Sequence, residues 1–374
     1  MLKLLHTADL HLGHESVQFE PEDRRRLARA RLDAAKAILL AAEQYDVHAV
    51  LWAGDLFDTP EPDEDWWRGF AGVLNSRPNW TRPVILLPGN HDPIKPNSVY
   101  HRDHPFRRLL PTWVHIVDSD TFEFVLSPEA VLLAAPCRSM AGAEDLALSL
   151  PARPEGDTRI RVGLVHGSTF DLEGYQTRFP IASDAPQQRG LDYLAVGDTH
   201  GFRIIRSGGA APIVYPGAPE PTRFGESDTG QVALVSITRA GARPTVTSVT
   251  VGRWTWRDER VCSLETLRRL ASEDLSTSAL RLRLDLTVSA VEEKAVDEVV
   301  RQLRGDLAST GRAGAFILDR SGLRVEVGNP DDVMRDVPET LSIVADALAA
   351  DAAGDDEAGR ALRLLYRLVS EARA

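Results

Sequence analysis

Five short stretches carry side chains suited to metal-assisted acid–base chemistry: Asp9 with His11, Asp55, Asn90 with His91, His166, and Asp198 with His200. Each follows an apolar run, so each stands where a buried strand would end at the rim of a sheet. The sharpest is Gly89-Asn90-His91-Asp92, where the run Val84 to Leu87 stops on a Pro-Gly turn and an amide, an imidazole and a carboxylate follow in succession. Singly these are weak signals, because an isolated Asp often caps a loop and an isolated strand-end His is more often structural. In conjunction they give a mixed oxygen and imidazole donor set large enough for two divalent ions.

The elements that must position them follow from the apolar pattern. Leu2 to Leu5, Val47 to Ala53, Val84 to Leu87, Arg161 to Val165 and Leu191 to Val196 read as buried strands, and Arg24 to about Gln44 reads as a helix with Leu27, Ala30, Ala34, Ile38 and Ala41 on one stripe. A helix carrying Trp66, Trp67, Phe70 and Leu74 follows the second strand, with the Trp pair expected in core or lid packing. Short runs between Trp113 and Pro136 suggest that the chain has crossed to a second sheet, which Gln231 to Thr238 and Thr245 to Val251 would close. Beyond Gly252 the pattern predicts a small α/β domain, with Leu280, Leu282, Leu284 and Leu286 on a one-faced strand. Ala315 to Leu318 and Leu323 to Val327 are expected to form a hairpin there, and two helices, about 339 to 350 and 357 to 372, end the chain.

With 374 residues, 43% of them apolar, and a mean hydropathy of −0.20, the chain can fill a core and is long enough for two domains. A formal net charge of −12 excludes a generally basic nucleic-acid coat, since phosphate affinity comes from Lys and Arg releasing counterions. Local binding stays open, because bound divalent cations would reverse the field where a phosphate sits. Cys137 and Cys262 have no zinc spacing and read as buried, inert thiols of a reducing cytoplasm. The apolar start, Met1 to Leu5, meets His6, Asp9 and His11 too soon for a signal peptide or a membrane span, so neither is expected.

The order of motifs resembles that of the calcineurin-like metallophosphoesterase superfamily: Asp-x-His, Gly-Asp, Gly-Asn-His-Asp, a lone His and a final Gly-His-x-His, which is here Gly197-Asp198-Thr199-His200. Within it the chain is most similar to the nuclease subunit of the bacterial SbcCD complex and its double-strand-break repair relatives. That match rests on Thr7 to Gly13, Ala53 to Asp58, Pro88 to Asp92, Tyr215 to Glu220 and Phe224-Gly225-Glu226. The resemblance implies an α+β fold, with a helix-flanked β-sandwich (αββα layers) as the catalytic domain over residues 1–254. A smaller α/β capping domain over 255–337 and C-terminal helices over 338–374 that dock a partner would complete it.

The same resemblance implies that Asp9, His11, Asp55 and His200 hold one metal, and that Asp55 bridges to a second held by Asn90, His166 and Asp198. A carboxylate at 198 shifts preference toward manganese or magnesium, and the competing reading is loss of the second site. Two such ions polarise a phosphodiester oxygen and lower the pKa of a bridging water, while His91 protonates the leaving alkoxide. Asp92 would orient His91 and Asp58 would support the ligands by hydrogen bonding, or both simply cap loops. The expected substrate is DNA, with candidate phosphate contacts at His14, Arg24, His101-Arg102 and Arg107-Arg108. A homodimer and a coiled-coil ATPase of the SbcC kind are the expected partners. Small phosphoesters, or a catalytically weak scaffold role, are the alternatives.

Overall fold

The computed structural model describes residues 1–169, 178–206, 209, 211–305, 313–326, 333–335, 337–352 and 355–373. By contact it divides into two compact units, Met1–Val17 with Arg24–Thr255, and Gln18–Asp23 with Trp256–Ala374.

The first unit is built on two six-stranded sheets. Strands β1 (Leu2–Thr7), β2 (Ala49–Ala53), β3 (Val84–Leu87) and β4 (Val114–Ile116) run parallel in one sheet. The second sheet begins with β5 (Phe122–Ser127) and β6 (Ala130–Ala134) and continues with β7 (Ile160–His166). The short strands β8 (Ser168–Thr169) and β9 (Pro180–Ile181) pair separately, and β10 (Tyr193–Gly197), β11 (Arg203–Ile205) and β12 (Ile213–Tyr215) complete the second sheet in the order β11-β12-β10-β7-β6-β5. Strands β13 (Gln231–Ile237) and β14 (Thr245–Thr250) return to the first sheet, with β13 antiparallel beside β1.

The central strands β2, β3, β6, β7 and β10 are buried along their whole length because both faces are covered. Leu4, Leu51 and Ile85 meet Leu132, Val162, Leu164 and Ala195 between the sheets. Their sequence neighbours Leu5, Val50 and Leu86 point the other way, onto Ile38 and Leu39 of the helix Pro21–Gln44 and Phe70 and Leu74 of the helix Glu64–Asn75. On the far side, Leu133, Val165 and Leu194 pack against the short helices Leu146–Ser149 and Ala185–Arg189. The layers are therefore helix, sheet, sheet, helix, and β1, β2 and β3 end together at one rim, as β7 and β10 do in the other sheet.

Several expectations need correction. Val114–Ile116 still belongs to the first sheet, and the crossing comes at Phe122; the strands at 231–237 and 245–250 close the first sheet, not the second. Strand propensity in these segments is local and does not name the sheet that a strand joins. Cys137 is buried as expected, but Cys262 is exposed.

In the second unit, β15 (Thr255–Val261), β16 (Ser278–Leu284) and β18 (Ala315–Asp319) form a three-stranded sheet, while β17 (Thr287–Ser289) pairs in parallel with β19 (Arg324–Glu326). The hairpin expected at 315–327 is therefore absent among the described residues; its two strands pair with distant partners, and Val327 lies outside the described residues. Leu280, Leu282 and Leu284 face Leu267, Val296 and Leu303 in its core. Ser289 and Glu292 form a reciprocal capping box at the start of the helix Ala290–Arg304. The final helices run Glu339–Asp351 and Asp356–Arg373, and Gly354 between them lies outside the described residues. Among the described residues no helix is long and apolar enough to cross a membrane.

One buried group sets a pH dependence for the first unit. His6 on β1 is fully buried, with Nδ1 2.9 Å from the Tyr193 hydroxyl, and burial pushes its imidazole down to about 3. The unfolded chain therefore binds a proton that the folded chain refuses, so stability falls as pH drops from the ordinary value of 6.5 toward about 3. His6→Gln should lose less of its urea midpoint than wild type between about pH 7 and about pH 5. Parallel losses in the two proteins would contradict this assignment.

Candidate metal centre

The loops after β1 and β2 continue the pairing of their strands. Asp9 N donates to Gly54 O at 3.1 Å, His11 N to Asp55 O at 3.0 Å, Leu12 N to Leu56 O at 2.9 Å and Asp58 N to Leu12 O at 3.0 Å. These bonds bring Asp9, His11, Asp55 and Asp58 into one cluster. The backbone is strained to do so: Asp9, His11, Asp55 and Asp198 have φ of 54°, 48°, 51° and 100°. Non-glycine residues seldom adopt such values, Asp and His more readily than most, and four of the eight that do so among the described residues fall in this cluster. Glycine clears the space beneath. A Cβ on Gly89 would lie 2.2 Å from Asp55 Oδ1, and one on Gly54 would lie 2.2 Å from His166 Nδ1.

The three histidines of the cluster have their Nδ1 atoms already engaged. His11 Nδ1 lies 2.9 Å from Asp58 Oδ1, His200 Nδ1 lies 2.6 Å from Glu226 Oε1, and His166 Nδ1 donates to the Ala53 carbonyl at 2.8 Å. Each ring therefore turns its Nε2 inward. His11 Nε2 and His200 Nε2 face each other at 3.2 Å. His166 Nε2 faces only oxygens: Asn90 Oδ1 at 2.8 Å, Asp55 Oδ2 at 3.3 Å and Asp198 Oδ1 at 3.8 Å. Asp55 Oδ2 stands between the two groups, 3.9 Å from His11 Nε2.

Such a set demands positive charge at its centre, and the titration behaviour expresses that demand. Burial works against the His166 imidazolium, but Asp55, Asp9 and Asp198 overcome it and raise the ring to about 10. Burial, only partly offset by His166 and His200, raises Asp9 to about 7. For Asp55 burial works upward, yet His166 and His11 hold it well below the ordinary carboxylate range. Burial lowers His11 to about 4, against the pull of Asp58 and Asp55. The donors present thus fit divalent cations, whose binding would displace these protons. Three groups of carboxylate and imidazole atoms lie within 4.8 Å of one another: Asp9-His11-His200, Asp9-Asp55-His166 and His11-Asp58-His91.

All seven expected ligand residues come to this one rim. Asp198 and Asn90 lie outside those three groups; the Asp198 backbone N donates to both Asp9 carboxylate oxygens, at 2.9 and 3.2 Å. His91 is more exposed than the rest, with its side chain 41% accessible and Nδ1 3.1 Å from the Asp58 carbonyl oxygen. Asp58 therefore engages three histidines, His11 and His14 through its side chain and His91 through its backbone. Asp92 does not orient His91. Its buried carboxylate accepts from Gly89 N at 2.7 Å, Phe57 N at 2.9 Å and the Tyr100 hydroxyl at 3.1 Å, which braces the loop.

Three contributors escaped sequence reasoning. Glu226 holds His200 and also accepts from Thr222 N at 2.8 Å and Thr222 Oγ1 at 2.7 Å. It was visible only as part of the Phe-Gly-Glu motif. Arg178 and Arg223 line the cleft over the cluster, a space of about 510 Å³, together with His14. The other expected phosphate contacts lie elsewhere: Arg107 pairs with Asp118 at 3.0 Å, Arg108 donates to Asp103 O, and Arg24 donates to Val17 O at 2.7 Å.

Comparison with known proteins gives a consistent result. The family profile described as calcineurin-like phosphoesterase matches residues 2–202. The chain is 25% identical to the uncharacterized metallophosphoesterase YhaO of Bacillus subtilis (strain 168) over 256 residues, which is 63% of this chain and 58% of that protein. It is 32% identical over 92 residues to the DNA double-strand break repair protein Mre11 of Haloferax volcanii, covering 25% of this chain and 20% of that one. The chain therefore spans less than two thirds of the length of either relative. Among solved structures, a protein of Thermus thermophilus aligns with a TM-score of 0.42 and 15% identity over 67% of this chain and 99% of that one.

The glycine beneath Asp55 gives a direct test of the geometry. Gly89→Ala should cost about 1–3 kcal/mol of unfolding free energy in a denaturant titration, because the new methyl and the Asp55 carboxylate cannot share the space. An unchanged midpoint would show that the loop accommodates it.

Proposed function

Because the chain belongs to the calcineurin-like phosphoesterases, we propose that it is a two-metal phosphodiesterase whose substrate is DNA. The observation that carries the hydrolytic reading is the convergence of three Nδ1-locked histidines and the Asp55 carboxylate on one rim. On this reading Asp9, His11, His200 and Asp55 hold one ion, and Asp55, Asn90, His166 and Asp198 hold the other. Two divalent ions there, manganese or magnesium, would supply Lewis-acid polarisation of a phosphoryl oxygen and acidify water.

The chain's own residues do the rest. Asp58 and Glu226 keep His11 and His200 in the tautomer that presents Nε2. His91, with Nδ1 held at the Asp58 carbonyl, is the proton donor to the leaving oxygen through Nε2. Arg178 and Arg223 meet the phosphate where the cleft opens, beside His14, whose ring nitrogens are held by Thr222 O at 3.2 Å and Asp58 Oδ1 at 3.4 Å. DNA as substrate draws its support from the double-strand-break repair motifs in the sequence and from the short match to the Haloferax volcanii repair protein. A homodimer and a coiled-coil ATPase partner belong to the same reading.

Purified protein with manganese should cleave linear or single-stranded DNA and lose that activity to a chelator. Cleavage of small phosphodiesters alone would overturn the DNA reading, and no hydrolysis of either would overturn the enzymatic one. His91→Asn should lower kcat by about 100- to 10,000-fold with metal binding intact. Glu226→Gln should instead weaken metal affinity by about 10- to 100-fold in calorimetry; equal affinity would remove Glu226 from the site.

A further inference from the structure

Beside the metal-ligand cluster lies a second cleft, of about 450 Å³, that shares His14 with the first. The tryptophan pair at the start of the helix Glu64–Asn75 is divided by it. Trp67 is buried in the core, whereas Trp66 is half-buried and lines the cleft. The Trp66 ring lies against Gly13, in the same loop as His11, and Gly13 has φ of +94°; a Cβ there would come 3.2 Å from Trp66 Cδ1. The ring thus adjoins the ligand loop directly. Its indole N–H has no hydrogen-bond partner among the described residues.

The rest of the lining is mixed. Leu32 adds an apolar surface, Arg25 and Arg29 add donors, and Asp63 and Asp65 add acceptors. Carboxylates at this place oppose a phosphate but accept from ring N–H and exocyclic amino groups. An aromatic wall with donors and acceptors around it suits a neutral, flat heteroaromatic group, and the volume falls in the range of small-ligand sites. Base-on-aromatic stacking of this kind tolerates any sequence, because every base has a π-face.

We propose that this cleft seats the nucleobase next to the scissile phosphate, with Trp66 as its stacking platform. The inference rests on the phosphodiesterase reading, since the shared His14 wall joins the base site to the reacting centre. Trp66 acts in substrate positioning and takes no part in bond making.

The test compares the dinucleotide thymidylyl-thymidine with an analogue carrying abasic tetrahydrofuran residues in place of both nucleosides. Trp66→Leu, which keeps an apolar side chain, should raise KM for the dinucleotide about five-fold or more. It should leave kcat, and both constants for the abasic analogue, unchanged. Trp66→Phe should recover most of the loss. A second readout is independent of turnover: chelator-treated wild type should bind thymidine 5′-monophosphate, and the Leu variant should bind it more weakly by a similar factor. Equal KM shifts for the two substrates, or none, overturn the inference while leaving the phosphodiesterase reading standing. If neither substrate is hydrolysed, that reading fails and the nucleotide titration decides alone. Weaker binding by the Leu variant then supports the base site, and unchanged or undetectable binding overturns it.

Discussion

Two ring nitrogens, His11 Nε2 and His200 Nε2, face each other at 3.2 Å, and the organisation of the first unit follows from how that contact is imposed and what relieves it. Neither ring can turn its other nitrogen inward, because Asp58 and Glu226 have already engaged the Nδ1 atoms. His166 repeats the device with a backbone carbonyl, and its inward nitrogen meets oxygens alone. Acceptors converging on acceptors in a buried place are stable only around a cation. In its absence protons take that part, which is why His166 is pushed up to about 10 and Asp9 to about 7.

Holding the set together is costly for the backbone. Four of its residues adopt left-handed φ values, at on the order of 1–3 kcal/mol each. The four-layer arrangement offsets this. Strands packed on both faces place β1, β2 and β3 side by side with nothing to shift, and the loops beyond them stay zipped by Asp9–Gly54, His11–Asp55 and Leu12–Leu56 bonds. The carboxylate of Asp92, whose three donors are Gly89 N, Phe57 N and the Tyr100 hydroxyl, stiffens the third loop in the same way.

What the sequence made legible was the local part of this design. Asp9, His11, Asp55, Asn90, His166 and His200 each end an apolar run, and a strand end is a local property. The groups that orient them were harder to find. Glu226 is distant in sequence from His11 and belongs to no strand end, and only the fold shows that it meets His200. Asp92 was paired with its neighbour His91 by proximity in sequence, yet the loop turns its carboxylate toward backbone N–H groups. Sheet membership failed for a related reason. Val114–Ile116, Gln231–Ile237 and Thr245–Thr250 carry strand propensity that does not name a partner, and the strand at 315–319 pairs with 278–284 although 324–326 is nearer in sequence. The split between Trp66 and Trp67 likewise depends on where the helix lies over Gly13.

The claim on which the account stands is that this cluster binds two divalent ions. Isothermal calorimetry of chelator-treated protein with manganese at neutral pH measures it most directly. The account predicts two equivalents per chain, with protons released into the buffer as His166 and Asp9 give them up. One equivalent would mean that Asp198 does not complete the second site, and no binding would contradict the account outright.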